Sequence, residues 1–218
     1  MKTNTDYYDI DNYLTEEQLL IRSSTRAWVN KNIKPNIDQY TQSANASKDW
    51  SNLLADIGGY GLIIPAEYGG LGMDYLSYGL MMQELERGDT AIRVMSSIQT
   101  SLVMYAIWQF GSEQQKQKYL PLLASGDLLS SFGLTEPNYG SNASSMHCNF
   151  KIVNDKIILN GSKLWIGNAS YADIAIVWAK NEQNIVQGII VETANITNFT
   201  NTKIDNKWSF RASNTGEL

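Results

Sequence analysis

Residues 132–141 read Phe132-Gly133-Leu134-Thr135-Glu136-Pro137-Asn138-Tyr139-Gly140-Ser141. An apolar stretch runs into Thr, Glu and Pro and then into a turn rich in Asn, Gly and Ser. A strand ending this way presents backbone N–H groups and hydroxyls at its tip, where they can hydrogen-bond a planar heterocycle or a phosphate. As turn chemistry alone, the same residues describe an ordinary polar loop. The stretch also marks a change of pattern: the apolar residues before it recur at helical spacing and those after it fall into short strands.

Upstream, Thr15 followed by Glu16, Glu17 and Gln18 predicts a helix N-cap with acidic residues in the first turn. Leu19, Leu20, Thr25, Trp28, Val29, Ile33 and Ile37 continue it, and Pro35 is expected to bend it near its end. A second helix is expected over 47–57, stopped by Gly58-Gly59. A Gly-rich loop follows over 63–72. Two more helices are predicted over 74–86 and 90–110, the latter long, apolar and buried on most sides. Ser112 and Gln115 cap a fifth, over 113–124, closed by Gly126.

Downstream, strands are expected over 128–135, 146–153, 156–160, 163–166, 173–179 and 184–191, with a hairpin turn at Asn154-Asp155. Helices first and strands second predict an α+β protein: a helical domain over 1–127, then an antiparallel β domain of barrel or sandwich type over 128–218.

Of the 218 residues, 43% are hydrophobic and 18% charged, as in an ordinary globular protein. The net charge of −5 and the lack of a basic run argue against nucleic-acid binding. The apolar runs are too short to span a bilayer. Residues 1–11 show no targeting pattern, so a cytoplasmic bacterial protein is expected. The single His147 and single Cys148 leave too few ligands for a Cys/His zinc site, and both are read as structural. No metal site is expected. No G-x-G-x-x-G or Walker A motif appears. Chemistry, if present, is expected to come from a cofactor.

A second stretch, Lys163-Leu164-Trp165-Ile166-Gly167-Asn168, carries a tryptophan toward a Gly-Asn turn. By itself this describes a core residue or a stacking surface. Taken with 132–141 the pair is far more specific. The spaced segments, with Pro65-Ala66-Glu67-Tyr68-Gly69-Gly70, Tyr119-Leu120-Pro121 and Trp208-Ser209-Phe210-Arg211-Ala212-Ser213, resemble the acyl-CoA dehydrogenase family from about Leu14 onward. Glu84-Leu85-Glu86-Arg87, Arg93, residues 99–104 and residues 168–174 are most similar to the glutaryl-CoA dehydrogenases. The resemblance implies FAD as cofactor, an acyl-CoA substrate, a glutaryl chain above all, and electron-transferring flavoprotein as redox partner. It implies that Phe132, Leu134 and Thr135 line the flavin, with Trp165, Ile166 and Gly167 along its ring system. Ser141 is implied at a phosphate. Arg93, with Glu86, Val94 and Ser97, is implied at the far end of the acyl pocket, where a cation meets a distal carboxylate for about 1.5–3 kcal/mol. The competing reading of Arg93 is an ion pair with Asp89, four residues earlier.

Three positions depart from the family pattern: Gly167 stands where the family has Thr, Val94 where glutaryl enzymes have Ser, and Asn142 where the family has Asp. The family's catalytic Glu lies in a C-terminal helical domain that these 218 residues do not match, so no catalytic residue is assigned. General base catalysis contributes about 10²–10⁴-fold, so a chain inactive by itself is expected. Exposed apolar surface is expected to drive self-association or to be met by a separate C-terminal half. The alternatives are one half of a split enzyme, a non-catalytic flavin- or acyl-CoA-binding remnant, and a structural interaction protein.

Overall fold

The computed structural model describes residues 7–44 and 49–218. Helix α1 (Glu16–Asn32) opens on a full capping box: the Thr15 hydroxyl accepts from the Gln18 N–H while the Gln18 side chain accepts from the Thr15 N–H. Pro35 does not bend this helix; it ends it. A 3₁₀ turn at Lys34–Asn36 intervenes, and a separate helix α2 (Ile37–Ser43) follows. A proline inside the helix would leave one carbonyl without its N–H donor and clash with the preceding turn. Helix α3 covers Asp49–Asp56; the expected start at Ser47 lies outside the described residues.

The loop after α3 folds back on itself through Leu71 N–H to Gly61 O and Met73 N–H to Leu62 O. It requires Gly70, where a β carbon would come within 2.0 Å of the Ile64 carbonyl oxygen. Helix α4 (Tyr75–Gly88) is capped by Asp74, and α5 (Thr90–Ser97) by Asp89. The expected long helix over 90–110 is not uniform. Between α5 and α6 (Tyr105–Phe110) the backbone widens into a π-helical segment, Ile98–Met104. Such insertions re-aim side chains and recur at functional sites. Helix α7 (Glu113–Ser125) repeats the capping box with Ser112 and Gln115 and ends at Gly126, φ 78°.

The β part is a mixed sheet, not the antiparallel one expected. Its strands are β1 (Ser130–Gly133), β2 (Asn149–Val153), β3 (Lys156–Asn160), β5 (Ile174–Lys180) and β6 (Val186–Glu192). Strand β5 pairs antiparallel with β6 but parallel with β1 along its first half and with β2 at its end. Parallel pairing needs a long connection, and residues 134–173 supply it. The β2–β3 hairpin turns through Asn154 and Asp155, both left-handed, the mirror-image turn that matches strand twist. A second, three-stranded sheet joins β4 (Ile166–Gly167), β7 (Thr202–Lys203) and β8 (Thr215–Glu217) in the order β4-β8-β7.

The helical and β parts share a core. Val103, Met104, Ile107, Leu120 and Leu123 pack with Ile174 and Ile176 of β5. The buried Gln99 stitches the junction: its amide donates to the Leu123 and Leu128 carbonyls, and its oxygen accepts from the N–H and hydroxyl of Ser130. This fixes the π segment beside the start of β1. Two cations from late in the chain tie back to the end of α2. Lys203 donates to Ala44 O, and Arg211 to Thr41 O, as suits the carbonyl-rich terminus of a helix.

Candidate functional site

The two sequence segments singled out above meet through a buried ion pair. Lys163 Nζ lies 2.9 Å from Glu136 Oε1, with side chains only 2% and 5% exposed. The ammonium also donates to Leu134 O. The carboxylate accepts from the backbone N–H groups of His147 and Cys148. Burial pushes the Glu136 carboxyl up, but these donors outweigh it and hold the group below the usual carboxylate range. Backbone bonds continue the seam, with Leu164 N–H donating to Thr135 O and Lys163 pairing both ways with Leu218. Glu136 is thus a structural anchor.

Beside this seam runs a groove of about 880 Å³. Phe132, Leu134, Thr135, Trp165, Ile166 and Gly167 all line it, so the six positions assigned to the flavin from sequence lie along one surface. The Thr135 hydroxyl takes no partner among the described residues. Trp165 is 58% exposed and has a φ of 65°, so it is not a core residue. The left-handed region is costly for a bulky side chain, and strain of this kind concentrates at functional sites.

The opposite wall is helical. Val94, Ile98 and Leu102 project from α5 and the π segment. A third side comes from the segment 204–210, which brings Trp208, fully exposed, together with Asp205, Lys207 and Phe210. The Lys207 ammonium donates to Ser213 O and Thr215 Oγ1. Burial, and then the charge of Lys203, push its pKa down to about 8.

Sequence reasoning assigned no groove role to Ile98, Leu102 or Trp208. The first two lay inside a long, largely apolar helical pattern. Trp208 and Phe210 entered the sequence reading only within the family-like segment Trp208-Ser209-Phe210-Arg211-Ala212-Ser213, without a site role.

The predicted acyl-pocket residues divide. Val94 lines the groove, whereas Arg93, Glu86 and Ser97 form a hydrogen-bonded set that does not. Arg93 Nε sits 2.7 Å from Glu86 Oε2, and its NH1 donates to Ser97 Oγ at 3.4 Å. Asp89, the alternative partner for Arg93, instead caps α5. Ser141 is exposed on the loop after β1, outside the groove. His147 Nε2 lies 2.7 Å from the Tyr139 hydroxyl, and Cys148 is buried. No group of three or more His, Cys, Asp or Glu residues is arranged to hold a metal among the described residues, and none of their helices is long and apolar enough to cross a membrane.

Comparison with known proteins gives a consistent answer. The profile of the acyl-CoA dehydrogenase N-terminal domain matches residues 15–127, and that of the acyl-CoA dehydrogenase middle domain residues 131–218. An acyl-CoA dehydrogenase of Bacillus subtilis (strain 168) is 37% identical over 210 residues, covering 94% of this chain and 55% of the relative. The glutaryl-CoA dehydrogenase of Desulfococcus multivorans is 33% identical over 216 residues, covering 96% and 55%. Among solved structures, a glutaryl-CoA dehydrogenase from Mycobacterium smegmatis in complex with FADH2 superposes with a TM-score of 0.93 at 38% identity, over 96% of this chain and 54% of that one. The chain spans about half the length of the relatives it matches.

Proposed function

The chain belongs to the acyl-CoA dehydrogenase family, and from that premise we propose that its groove forms one side of a site where FAD and an acyl-CoA thioester meet for α,β-dehydrogenation. The observation that carries the reading is the gathering of Phe132, Leu134, Thr135, Trp165, Ile166 and Gly167 along one groove, with Trp165 held in a left-handed conformation. The relative from Mycobacterium smegmatis is in complex with FADH2.

The residues present fit a planar tricyclic ring. The groove is within the size range of small-molecule sites and is lined by aromatic and aliphatic side chains with few polar atoms. Trp165 offers an exposed indole face. Thr135 offers a hydroxyl and a strand-end backbone to the polar edge of the ring. When bound, FAD would supply the acceptor for the hydride leaving the β carbon. The aliphatic wall of Val94, Ile98 and Leu102 excludes water from the reacting face. Glu136 and Lys163 keep the two segments in register, which orients Thr135 and Trp165 toward the same ligand.

Proton removal from the α carbon is not assigned to Glu136, because its carboxylate is fully engaged. Asp205 is the one carboxylate among the described residues lining the groove, and it stands on the exposed 204–210 segment. The reading therefore looks for the base outside this surface, and for an electron-transferring flavoprotein as onward acceptor.

The purified chain incubated with FAD and then desalted tests this directly. A retained flavin band with altered shape is expected. Colourless protein after desalting contradicts flavin binding by this surface.

A further inference from the structure

Gly167 and Ile98 interlock across the groove. A β carbon on Gly167 would lie 2.2 Å from Ile98 Cδ1 and 3.8 Å from Val94 Cγ1. Gly167 has no left-handed φ, so its missing side chain is a matter of space, not of backbone. Its strand cannot retreat. Gly167 pairs with Thr215 of β8, and the next residue, Asn168, is buried with its N–H on Asn214 O and its amide on Ser130 O. Ile98 is held as well. It is 7% exposed, starts the π segment, and precedes the fully bonded Gln99. Its branched β carbon restricts χ1 in a helix, so relief of the contact would have to come from rotation of the terminal methyl about χ2. The terminal methyl of Ile98 fills the volume that a side chain at 167 would take.

We infer that Ile98 and Gly167 are a matched specificity pair, and that the aliphatic wall they complete selects an uncharged hydrocarbon acyl chain over one ending in a carboxylate. This rests on the flavin-and-thioester reading above. Val94, Ile98 and Leu102 present no donor to a carboxylate, which would lose its water there without compensation, whereas a hydrocarbon gains by the same burial. The charged residues lining the groove, Asp205 and Lys207, both stand on the 204–210 segment. Lys207 is already bonded to Ser213 and Thr215. Arg93, next to Val94, does not line the groove, and its guanidinium is taken by Glu86.

Two measurements on the full chain test the inference. Thermal unfolding of Gly167→Val, Ile98→Ala and the double variant reads the interlock without any ligand. Gly167→Val is expected to lower Tm by about 3–8 °C. The double variant, a nearly volume-conserving exchange, is expected to lose clearly less than the two single losses added together. Losses that simply add overturn the matched pair.

Calorimetric titration of octanoyl-CoA, glutaryl-CoA and CoA itself into FAD-supplemented protein reads the selection. Octanoyl-CoA is expected to bind about 10-fold or more tightly than glutaryl-CoA, and Ile98→Ala to narrow that ratio. Equal affinities, or a preference for glutaryl-CoA, overturn the selection. If neither FAD nor any of the three CoA species binds, the dehydrogenase reading falls and the selection with it, and the unfolding cycle alone still decides the interlock.

Discussion

Lys163 Nζ and Glu136 Oε1 lie 2.9 Å apart in the interior, and each belongs to one of the two segments that line the groove. The pair is saturated: the ammonium also meets Leu134 O and the carboxylate two backbone N–H groups. A buried ion pair so satisfied adds little net stability over apolar packing, but removing one partner strands the other. Under the proposed function its role is to hold Thr135 and Trp165 against a common ligand.

Lys163→Met is therefore expected to destabilise the chain by about 3–5 kcal/mol, read as a lowered urea midpoint. Replacing both residues, Lys163→Met with Glu136→Leu, is expected to cost less than twice the single change, because no charge remains buried. The two backbone N–H groups left unpaired keep that double variant below wild type.

Glu136 also makes stability depend on pH. Its folded pKa is held below that of an unfolded glutamate, about 4.3. The folded state therefore stays ionised where the unfolded state has already taken up a proton. The stabilisation is complete above the unfolded value and is lost as pH falls from there through the lower folded value. Unfolding midpoints measured from pH 6 down to pH 3 are expected to fall less steeply for Glu136→Gln than for wild type.

Trp165 offers a test with opposite signs. A left-handed residue costs roughly 1–2 kcal/mol unless it is glycine, and Trp165 is 58% exposed. Trp165→Gly is expected to be more stable than Trp165→Ala by about 1 kcal/mol and to bind FAD as weakly as Trp165→Ala does. Thermal unfolding and flavin titration on the same samples check both halves.

Gln99→Leu removes the stitch between the helices and β1. It leaves the Leu128 carbonyl and the Ser130 N–H without this partner, while the Leu123 carbonyl keeps the Gly126 N–H. Each buried unsatisfied group costs about 1–3 kcal/mol. A loss of at least about 2 kcal/mol is expected, with faster amide exchange at the start of β1.

Helix starts were the most legible part of the sequence, since Thr15 with Gln18 and Ser112 with Gln115 are local signals that local geometry satisfies. The Asn154-Asp155 turn was legible for the same reason. Strand partners were not. Alternation marks a strand but does not say which strand lies beside it, so the parallel pairing of β1 with β5 escaped the reading. The π segment was hidden because the polar run Ser96-Ser97-Ile98-Gln99-Thr100-Ser101 carries no proline or glycine to mark a departure from α-helix. The strand-side surface of the groove emerged from two short segments. Its helical wall did not, because Ile98 meets Gly167 only through the tertiary fold.

Hydrogen–deuterium exchange of the chain with and without saturating FAD tests the central claim most directly. Slowed exchange confined to residues 132–135, 165–168 and 204–210 is the result expected of a flavin lying in the groove. Unchanged exchange there, or protection centred instead on residues 136–149, would contradict it.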